Sequence, residues 1–483
     1  MSVRSGKSIK KNYIFNASYQ ILIILTPLIT APYLSRTIGS DGVGAYSFAE
    51  SVVSYFVLAA ALGMATFGQR EISYVKDDIK KRSAVFWETK TLEVITGLIV
   101  SLIYLPFALT RENRALYLVL ELEILAVIAG AAWFLQGIEE FGRIVLINAV
   151  FRVANIVYIF TFVRTKNDVA VYAFGTAFFL LAGNIAQWFV LPKYIEKPQI
   201  HKIRPFRNII PILTLFIPTV AIQVYTVMDK TMIGVITRSD FENGYYEQAM
   251  KITKAVLAVV TSLGAVMASR IGSHYAKGER EKVSELMYKA YNYVWFMGVP
   301  LCFGLLGTAF NFVPWFFGED FQKVAPLLCI LGFLVLAIGI SNVTGIQYLI
   351  PTNRQNMFTL SVVIGAVVNF CLNMILIRFF ASIGAAIASV VAETLITVVQ
   401  IFLVRKELSP KRIIMCSWHY FVSGGLMLIV LKVMSTKLEP RVMDTVIMIV
   451  VGAIIYIGSL LVMRDSFLIS NIKPLLARIK KTN

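Results

Sequence analysis

The chain alternates between long apolar runs and short polar breaks along almost its whole length. Most runs hold about 20 residues or more, the length at which an α-helix crosses the roughly 30 Å hydrocarbon layer of a bilayer. Backbone groups inside that layer must pair with one another, so a series of such runs predicts a helical bundle. We predict fourteen spans, over residues 12–35, 43–66, 85–108, 115–136, 142–163, 169–192, 208–235, 244–269, 287–312, 323–350, 357–378, 381–404, 413–436 and 441–464.

Composition agrees with this pattern. The apolar types AVILMFWYC make up 57% of the 483 residues, and charged residues make up only 15%, against about 25% in soluble proteins. A soluble globule cannot cover this much apolar surface, and a disordered chain would be more polar. We therefore expect an all-α integral membrane protein, and we expect neither a cytosolic enzyme nor a disordered chain.

The net charge is +18 at pH 7. Membrane proteins with many spans collect Lys and Arg on their cytoplasmic loops, so this charge does not indicate a nucleic-acid partner. With fourteen spans, the loops on one side carry about three times as many Lys and Arg as those on the other. We therefore expect both termini and Asp78 in the cytoplasm, and positions 40, 240 and 320 outside.

The sequence resembles itself at an offset of about 200 residues. Gly44-Ala45-Tyr46 is matched by Gly244-Tyr245-Tyr246, and Gly175-Thr176-Ala177 is matched by Gly384-Ala385-Ala386. Chance matching of the Gly and Ala that are frequent in membrane helices is the alternative explanation. A repeat of six spans predicts two pseudo-symmetric bundles around a central cavity. The expected domains are residues 1–207 and 208–404, followed by residues 405–483 with two additional spans and a basic tail.

Several charged residues fall inside predicted spans. A basic side chain at the centre of a helix costs about 2.5–3.5 kcal/mol on insertion scales, so it is expected to face water or a counter-charge. Lys90 and Lys432 lie near predicted helix ends and can extend to the interface. The residues that we predict to form a substrate cavity are Arg36, Glu50, Arg152, Asp229, Lys230, Glu247, Lys251 and Lys254.

The spacing of Glu247, Lys251 and Lys254 places them on one stripe of a helix. Two interpretations stay open. The charges are structural ion pairs that lock helices together, for example Glu247 with Lys251, or they form a cationic site for a large anionic substrate. The second interpretation also accounts for Lys230 and Lys254.

A carboxyl group is predicted near the middle of the twelfth span, at Glu393. It lies nine residues after Gly384, and its counterpart in the first half of the repeat is uncharged Asn184. Such a carboxyl is suited to coupling transport to protons, sodium or the membrane potential. A buried carboxyl that only hydrogen-bonds to a neighbouring helix is the alternative.

No enzyme signature accompanies these charges. The three histidines are isolated, the four cysteines form no CxxC pair, and the sequence has neither HExxH nor GxxxxGK[ST]. We therefore expect no catalytic residue, no metal site and no cofactor.

A set of short segments, in a fixed order, resembles a known family. These segments are residues 31–39 (APYLSRTIG), 44–46, 68–72 (GQREI), 133–139 (WFLQGIE), 228–234 (MDKTMIG), 244–246, Gly365, Asn369, Asn373 and 384–386. With them the chain resembles the Wzx-type oligosaccharide flippases, in the polysaccharide-transport branch of the multidrug/oligosaccharidyl-lipid/polysaccharide exporter superfamily.

The resemblance implies a flippase that moves a polyprenyl-diphosphate-linked oligosaccharide from the inner to the outer leaflet of the bacterial cytoplasmic membrane, by alternating access. It implies a cationic cavity with a neighbouring groove for the lipid tail, and a place in cell-surface polysaccharide biosynthesis. We expect a monomer with membrane lipid around it, and a polymerase and glycosyltransferases as further partners. A multidrug exporter of the same superfamily and a non-transport scaffold are the alternatives.

Overall fold

The computed structural model of the chain describes residues 3–199, 201 and 203–470. Side chains are described from residue 22 onward within these ranges, except at residues 217–219, 221, 222, 224 and 265. The described part of the chain is helical and contains no β-strand, so the predicted fold class is confirmed. The basic tail beyond residue 470 and the side chains of the first 21 residues lie outside the described part.

Contacts between residues divide the chain into two compact units, one ending at Gly244 and the other beginning at Tyr245. This division falls inside one helix, whereas the predicted domains were drawn from the sequence repeat. The two criteria measure different properties, so the domain boundaries after residues 207 and 404 stay a prediction.

The first unit is built from helices that pack mainly around α1. Helix α1 contacts α3, α4, α6 and α8, while α4 and α6 both pack against α7. The helices are α1 (Val3–Ala61), α2 (Met64–Val75), α3 (Ile79–Leu109), α4 (Arg114–Ala129), α5 (Ala132–Gly137), α6 (Phe141–Phe162), α7 (Val169–Gln187), α8 (Ile209–Thr237) and the start of α9 (Asp240–Thr261).

The second unit contains the rest of α9 and a core around α11. Helix α11 packs against α12, α16 and α17, and α14 packs against α12 and α13. The helices after α9 are α10 (Gly264–Ala276), α11 (Arg280–Phe317), α12 (Val324–Thr344), α13 (Gln355–Phe380), α14 (Ser382–Val404), α15 (Pro410–Met415), α16 (Trp418–Lys437) and α17 (Val442–Val462).

In the described part of the chain, twelve helical stretches are long and apolar enough to cross a membrane. The first stretch, Leu22–Val75, has 54 residues, about 80 Å if it were straight, which far exceeds a bilayer. It is interrupted at Gly39, where φ is 72° and ψ is 177°. The predicted spans 12–35 and 43–66 lie on either side of Gly39. Helix α8 is not among the twelve, and the count of fourteen spans stays a prediction.

Helices α4 and α5 are separated by a break at Gly130, which exposes backbone carbonyl groups in an apolar environment. Side chains satisfy them: Asn184 donates to the carbonyl of residue 126 (2.7 Å), Trp188 donates to that of residue 129 (2.7 Å), and Lys90 Nζ donates to that of Gly130 (2.5 Å). Lys90 also pairs with Glu93 at 2.7 Å, and both are buried. Lys90 therefore does not extend into water as predicted, because its side chain is buried and bonds to Glu93 and to the backbone at the helix break.

Candidate functional site

A polar seam joins α1 and α8 within the first unit. Lys230 Nζ lies 3.3 Å from Glu50 Oε2. Thr231 Oγ1 lies 3.0 Å from Ser51 Oγ and 3.1 Å from the hydroxyl of Tyr55. The side chains of Lys230 and Glu50 are 15% and 35% exposed. Two helices that are far apart in sequence are thus joined by an ion pair next to three hydroxyl groups.

Beyond this seam, the backbone of α1 near Gly44 and the backbone of α9 near Gly244 approach each other closely. A Cβ atom on Gly44 would overlap the carbonyl oxygen of Asp240, and a Cβ atom on Gly244 would overlap that of Ser40. The side chain of Asn243 is buried here. With its amide oxygen placed to accept from the N–H of Gly234 at 3.1 Å, its amide nitrogen donates to the carbonyl of Lys230 at 2.9 Å. Only glycine permits this approach, which explains why Gly occurs at both matched positions of the repeat.

Two further acidic side chains belong to the same region. Asp229 lies close enough to Tyr55 to interact with it electrostatically, and Glu123 interacts in the same way with Glu50. Asp229 is among the predicted site residues, whereas Glu123 on α4 is not. Its sequence signal was a carboxyl group inside an apolar run, which by itself does not indicate which helix it faces.

In the second unit, Glu247 and Lys251 form an ion pair along α9. Their charged atoms are 3.4 Å apart, with side chains 13% and 20% exposed. Lys254, one turn further along, is exposed. The pair agrees with the expected i, i+4 spacing. It is compatible with a structural lock and with an anion site, so both interpretations stay open.

The remaining predicted residues are more widely distributed. Arg36 is exposed, with Nη1 at 3.5 Å from the carbonyl oxygen of Pro32. Arg152 is half-buried near the middle of α6, and Glu393 is half-buried in α14. The structure therefore brings Glu50, Asp229 and Lys230 into one seam. Whether all eight residues line one cavity stays a prediction, as does the role of Glu393 in coupling.

No group of three or more His, Cys, Asp or Glu side chains suited to a metal ion occurs among the described residues. The polar seam instead combines one cation with carboxylates and hydroxyl groups. Such a set suits hydrogen bonding and charge pairing.

The fold and these membrane-embedded charges define a multi-pass helical membrane protein. Residues 9–272 match the family model described as "Polysaccharide biosynthesis protein". The match covers more than half of the chain, and the chain therefore belongs to this family of polysaccharide biosynthesis proteins. The resemblance to Wzx-type flippases is confirmed.

Individual proteins are similar along most of the chain. The "Putative O-antigen transporter" of Escherichia coli (strain K12) is 26% identical over 409 residues, 83% of this chain and 97% of that protein. The "Probable low-salt glycan biosynthesis flippase Agl15" of Haloferax volcanii is 21% identical, over 80% of this chain and 79% of that protein. The structure titled "Lipid II flippase MurJ, inward closed conformation" matches with a TM-score of 0.71 at 16% identity, covering 94% and 99% of the two chains. At this identity the match shows the fold alone.

Proposed function

We propose that this protein is a flippase for a polyprenyl-diphosphate-linked oligosaccharide, moved from the inner to the outer leaflet of the cytoplasmic membrane by alternating access. The observation that carries the proposal is the similarity to the E. coli protein named as an O-antigen transporter, which extends over 83% of this chain. The similarity to an archaeal protein named as a glycan biosynthesis flippase supports the same substrate class.

The charges in the spans fit such a substrate. A lipid-linked diphosphate carries negative charge into a low-dielectric environment, where it needs cations to replace its water. Lysine binds phosphate as a point charge without one fixed geometry, which suits a substrate that moves. Lys230, Lys251 and Lys254 are the proposed contacts for the diphosphate, with Arg36, Arg152 and the carboxylates Glu50, Asp229 and Glu247 around them.

The protein acts by transport rather than by chemistry. We propose that energy comes from coupling to protons, sodium or the membrane potential, with Glu393 as the candidate group, and that no cofactor takes part. The termini are proposed to be cytoplasmic. A polymerase and glycosyltransferases are proposed as pathway partners that use and supply the substrate.

The test is translocation in proteoliposomes that contain a fluorescent polyprenyl diphosphate oligosaccharide in both leaflets. Active protein makes the inner-leaflet pool accessible to an added quencher, and empty liposomes give the baseline. A polyprenyl lipid without the diphosphate and a cationic drug serve as alternative substrates. Drug transport without lipid translocation would establish a multidrug exporter. No transport of either, with normal assembly of the polysaccharide-synthesis complex in cells, would establish a scaffold.

A further inference from the structure

A polar cavity of about 320 Å³ lies in the first unit, between the N-terminal part of α3 and residues Glu196, Lys197, Gln199 and Ile203. From α3 it is lined by Lys80, Ser83, Ala84, Trp87 and Glu88. Their spacing of three and four residues places them on one helix face. The cavity lies on a different helix from the polar seam of α1 and α8, so it is a separate feature of this unit.

The opposite wall of the cavity is fastened to α3. Trp87 Nε1 donates to the carbonyl of Glu196 at 2.9 Å, and the N–H of Glu196 donates to Ser83 Oγ at 2.9 Å. Arg82 Nε donates to the carbonyl of Tyr194 at 2.7 Å. Three hydrogen bonds between side chain and backbone hold this wall in place, so the cavity is a built part of the fold.

Glu88 lies in the wall of this cavity and is only 9% exposed. No hydrogen bond or ion pair joins its carboxylate to another of the described residues, whereas the buried Glu93 one turn further on has Lys90 as its partner. A carboxylate that is mostly buried and has no cation beside it is costly, because its charge is only partly hydrated and is not neutralised. The cavity therefore favours a positively charged group next to Glu88.

The rest of the lining indicates what that group is attached to. The Trp87 ring lies next to Glu88 in the lining and offers a face that attracts ammonium groups. The exposed Lys80 and Lys197 also line the cavity and supply positive charge for an anion. The lining thus combines the buried Glu88 and the exposed Glu196 with an aromatic ring and two cations. This set is complementary to a small zwitterion that carries an ammonium and a phosphate.

The depth of the cavity agrees with a headgroup. Helix α3 has 31 residues and is about 46 Å long, roughly 16 Å longer than the hydrocarbon layer. If the end of α3 at Leu109 marks one boundary of that layer, the first ten or so residues project beyond the other. Glu88, the tenth residue of α3, then lies at the depth of lipid headgroups.

We propose that this cavity binds an ammonioethyl phosphate group, with the ammonium against Glu88 and Trp87 and the phosphate at Lys80 and Lys197. The group is the headgroup of an ethanolamine phospholipid, or free phosphoethanolamine. This site does not depend on the proposed transport substrate, and its test measures binding without transport.

The first experiment titrates phosphoethanolamine into the purified full-length protein in detergent, by calorimetry. Ethylammonium and inorganic phosphate serve as the two half-ligands. We expect phosphoethanolamine to bind at least about tenfold more tightly than either half. Glu88→Gln should weaken binding by about tenfold or more, while Glu281→Gln, at an exposed carboxylate of the second unit, should leave it unchanged. Equal binding by the wild type and Glu88→Gln would refute the proposal. It would also be refuted if the wild type neither bound phosphoethanolamine in this titration nor was stabilised by phosphatidylethanolamine in the vesicle experiment described next.

A second variant, which reverses a charge on the exposed rim of the cavity, tests the proposal even if Glu88→Gln fails to fold. Lys197→Glu should weaken phosphoethanolamine binding but leave ethylammonium binding unchanged or tighter, and the opposite pattern would refute the assignment.

The second experiment compares thermal unfolding in vesicles of phosphatidylglycerol with and without phosphatidylethanolamine. An increase in melting temperature that Glu88→Gln abolishes identifies the lipid as the source. No increase in vesicles, with Glu88-dependent binding in detergent, identifies the free compound.

Discussion

Lys230 and Glu50 form an ion pair at 3.3 Å although 180 positions separate them in the sequence. The pair joins α8 to α1, and Thr231 continues the contact through Ser51 and Tyr55. Both charges are partly shielded from water, so each stabilises the other more than a surface pair would. A lysine that binds a diphosphate must exchange this partner for the substrate, and its carboxylate partner then becomes available for protonation or solvation.

Removing one charge of this pair should affect stability and export in different ways. Lys230→Ala leaves Glu50 without its cation and should cost about 1–2 kcal/mol. Thermal unfolding should show that loss, and lipid translocation should fall at least about tenfold. The double variant Lys230→Met with Glu50→Gln should regain the stability but not the translocation. Recovery of both would mean that the pair is a structural lock without a role in binding.

The close approach of Gly44 to the start of α9 should tolerate no side chain. A Cβ on Gly44 would overlap the carbonyl of Asp240, whereas a Cβ on Gly425 in α16 would meet no atom within 4 Å. We expect Gly44→Ala to lower the melting temperature and the translocation rate. Gly425→Ala should be neutral or slightly stabilising, because alanine favours the helix by about 0.5–1 kcal/mol. If the two variants had equal melting temperatures and translocation rates, the close approach of Gly44 to the carbonyl of Asp240 would be contradicted.

A pH-dependent contribution to stability is expected from the loop before α15. Arg354 Nη1 lies 2.7 and 2.9 Å from the two carboxylate oxygens of Glu407, and the Tyr348 hydroxyl also donates to Glu407. Burial opposes ionisation of this carboxyl, but these hydrogen bonds and the charge of Arg354 outweigh it and hold the pKa of Glu407 below its usual range. The stability from this pair is therefore present above the unfolded-state pKa of about 4.3 and is lost as the pH falls.

Glu407→Gln should consequently lower the melting temperature at pH 7, and the difference from the wild type should shrink steadily as the pH falls below about 4. Because the carboxylate is 48% exposed, the effect is limited to about 1 kcal/mol. Glu285→Gln, at an exposed pair with Lys289, serves as the control and should shift the melting temperature little at either pH. A difference that persists unchanged at pH 3 would contradict the ionic origin.

Much of the fold follows from the apolar pattern alone. The predicted span 381–404 corresponds to α14 at Ser382–Val404, and 142–163 corresponds to α6 at Phe141–Phe162. In these cases the polar breaks coincide with the helix ends, because charged side chains leave the hydrocarbon layer there. The break at Gly130 could not be predicted in this way, since the chain stays apolar through it. What sustains the break are Lys90, Asn184 and Trp188, which lie far away in the sequence.

The same distinction applies to the candidate site. Glu50 and Lys230 could be found because a charge inside an apolar run is conspicuous. The hydroxyl groups of Ser51 and Thr231 carry no such signal, because a helical hydroxyl can donate to its own backbone, as Ser51 does to the carbonyl of residue 48 (2.7 Å). The predicted span 85–108 places Lys90 near the start of a helix. In the structure α3 begins at Ile79, so Lys90 lies inside the helix, where its side chain is buried.

Glu393 provides a test of energy coupling. Its carboxyl is half-buried within α14, and the side chain of its counterpart Asn184 donates to a backbone carbonyl at 2.7 Å. Glu393→Gln keeps the shape and removes the charge, so it should slow translocation more than it lowers substrate affinity. Translocation should be measured over a range of pH and membrane potential, with Glu112→Gln as a control at an exposed carboxylate. Unchanged translocation under every condition would remove Glu393 from the mechanism.

The lysines of α9 separate binding from structure most sharply. Lys251 is paired with Glu247 at 3.4 Å and is 20% exposed, whereas Lys254 is exposed. If both bind the diphosphate, Lys251→Ala and Lys254→Ala should impair translocation at normal protein abundance, and substitution by Glu should abolish it. Arginine should retain most activity, because phosphate requires the charge more than one geometry. Lys193→Ala, at the exposed end of the short 3-10 helix Leu191–Lys193, is the matched control. If Lys251 is structural instead, Lys251→Ala removes the cation that lies 3.4 Å from Glu247 and lowers abundance, and adding Glu247→Gln restores abundance and translocation together. Normal translocation by both alanine variants at normal abundance would show that neither lysine contacts the substrate.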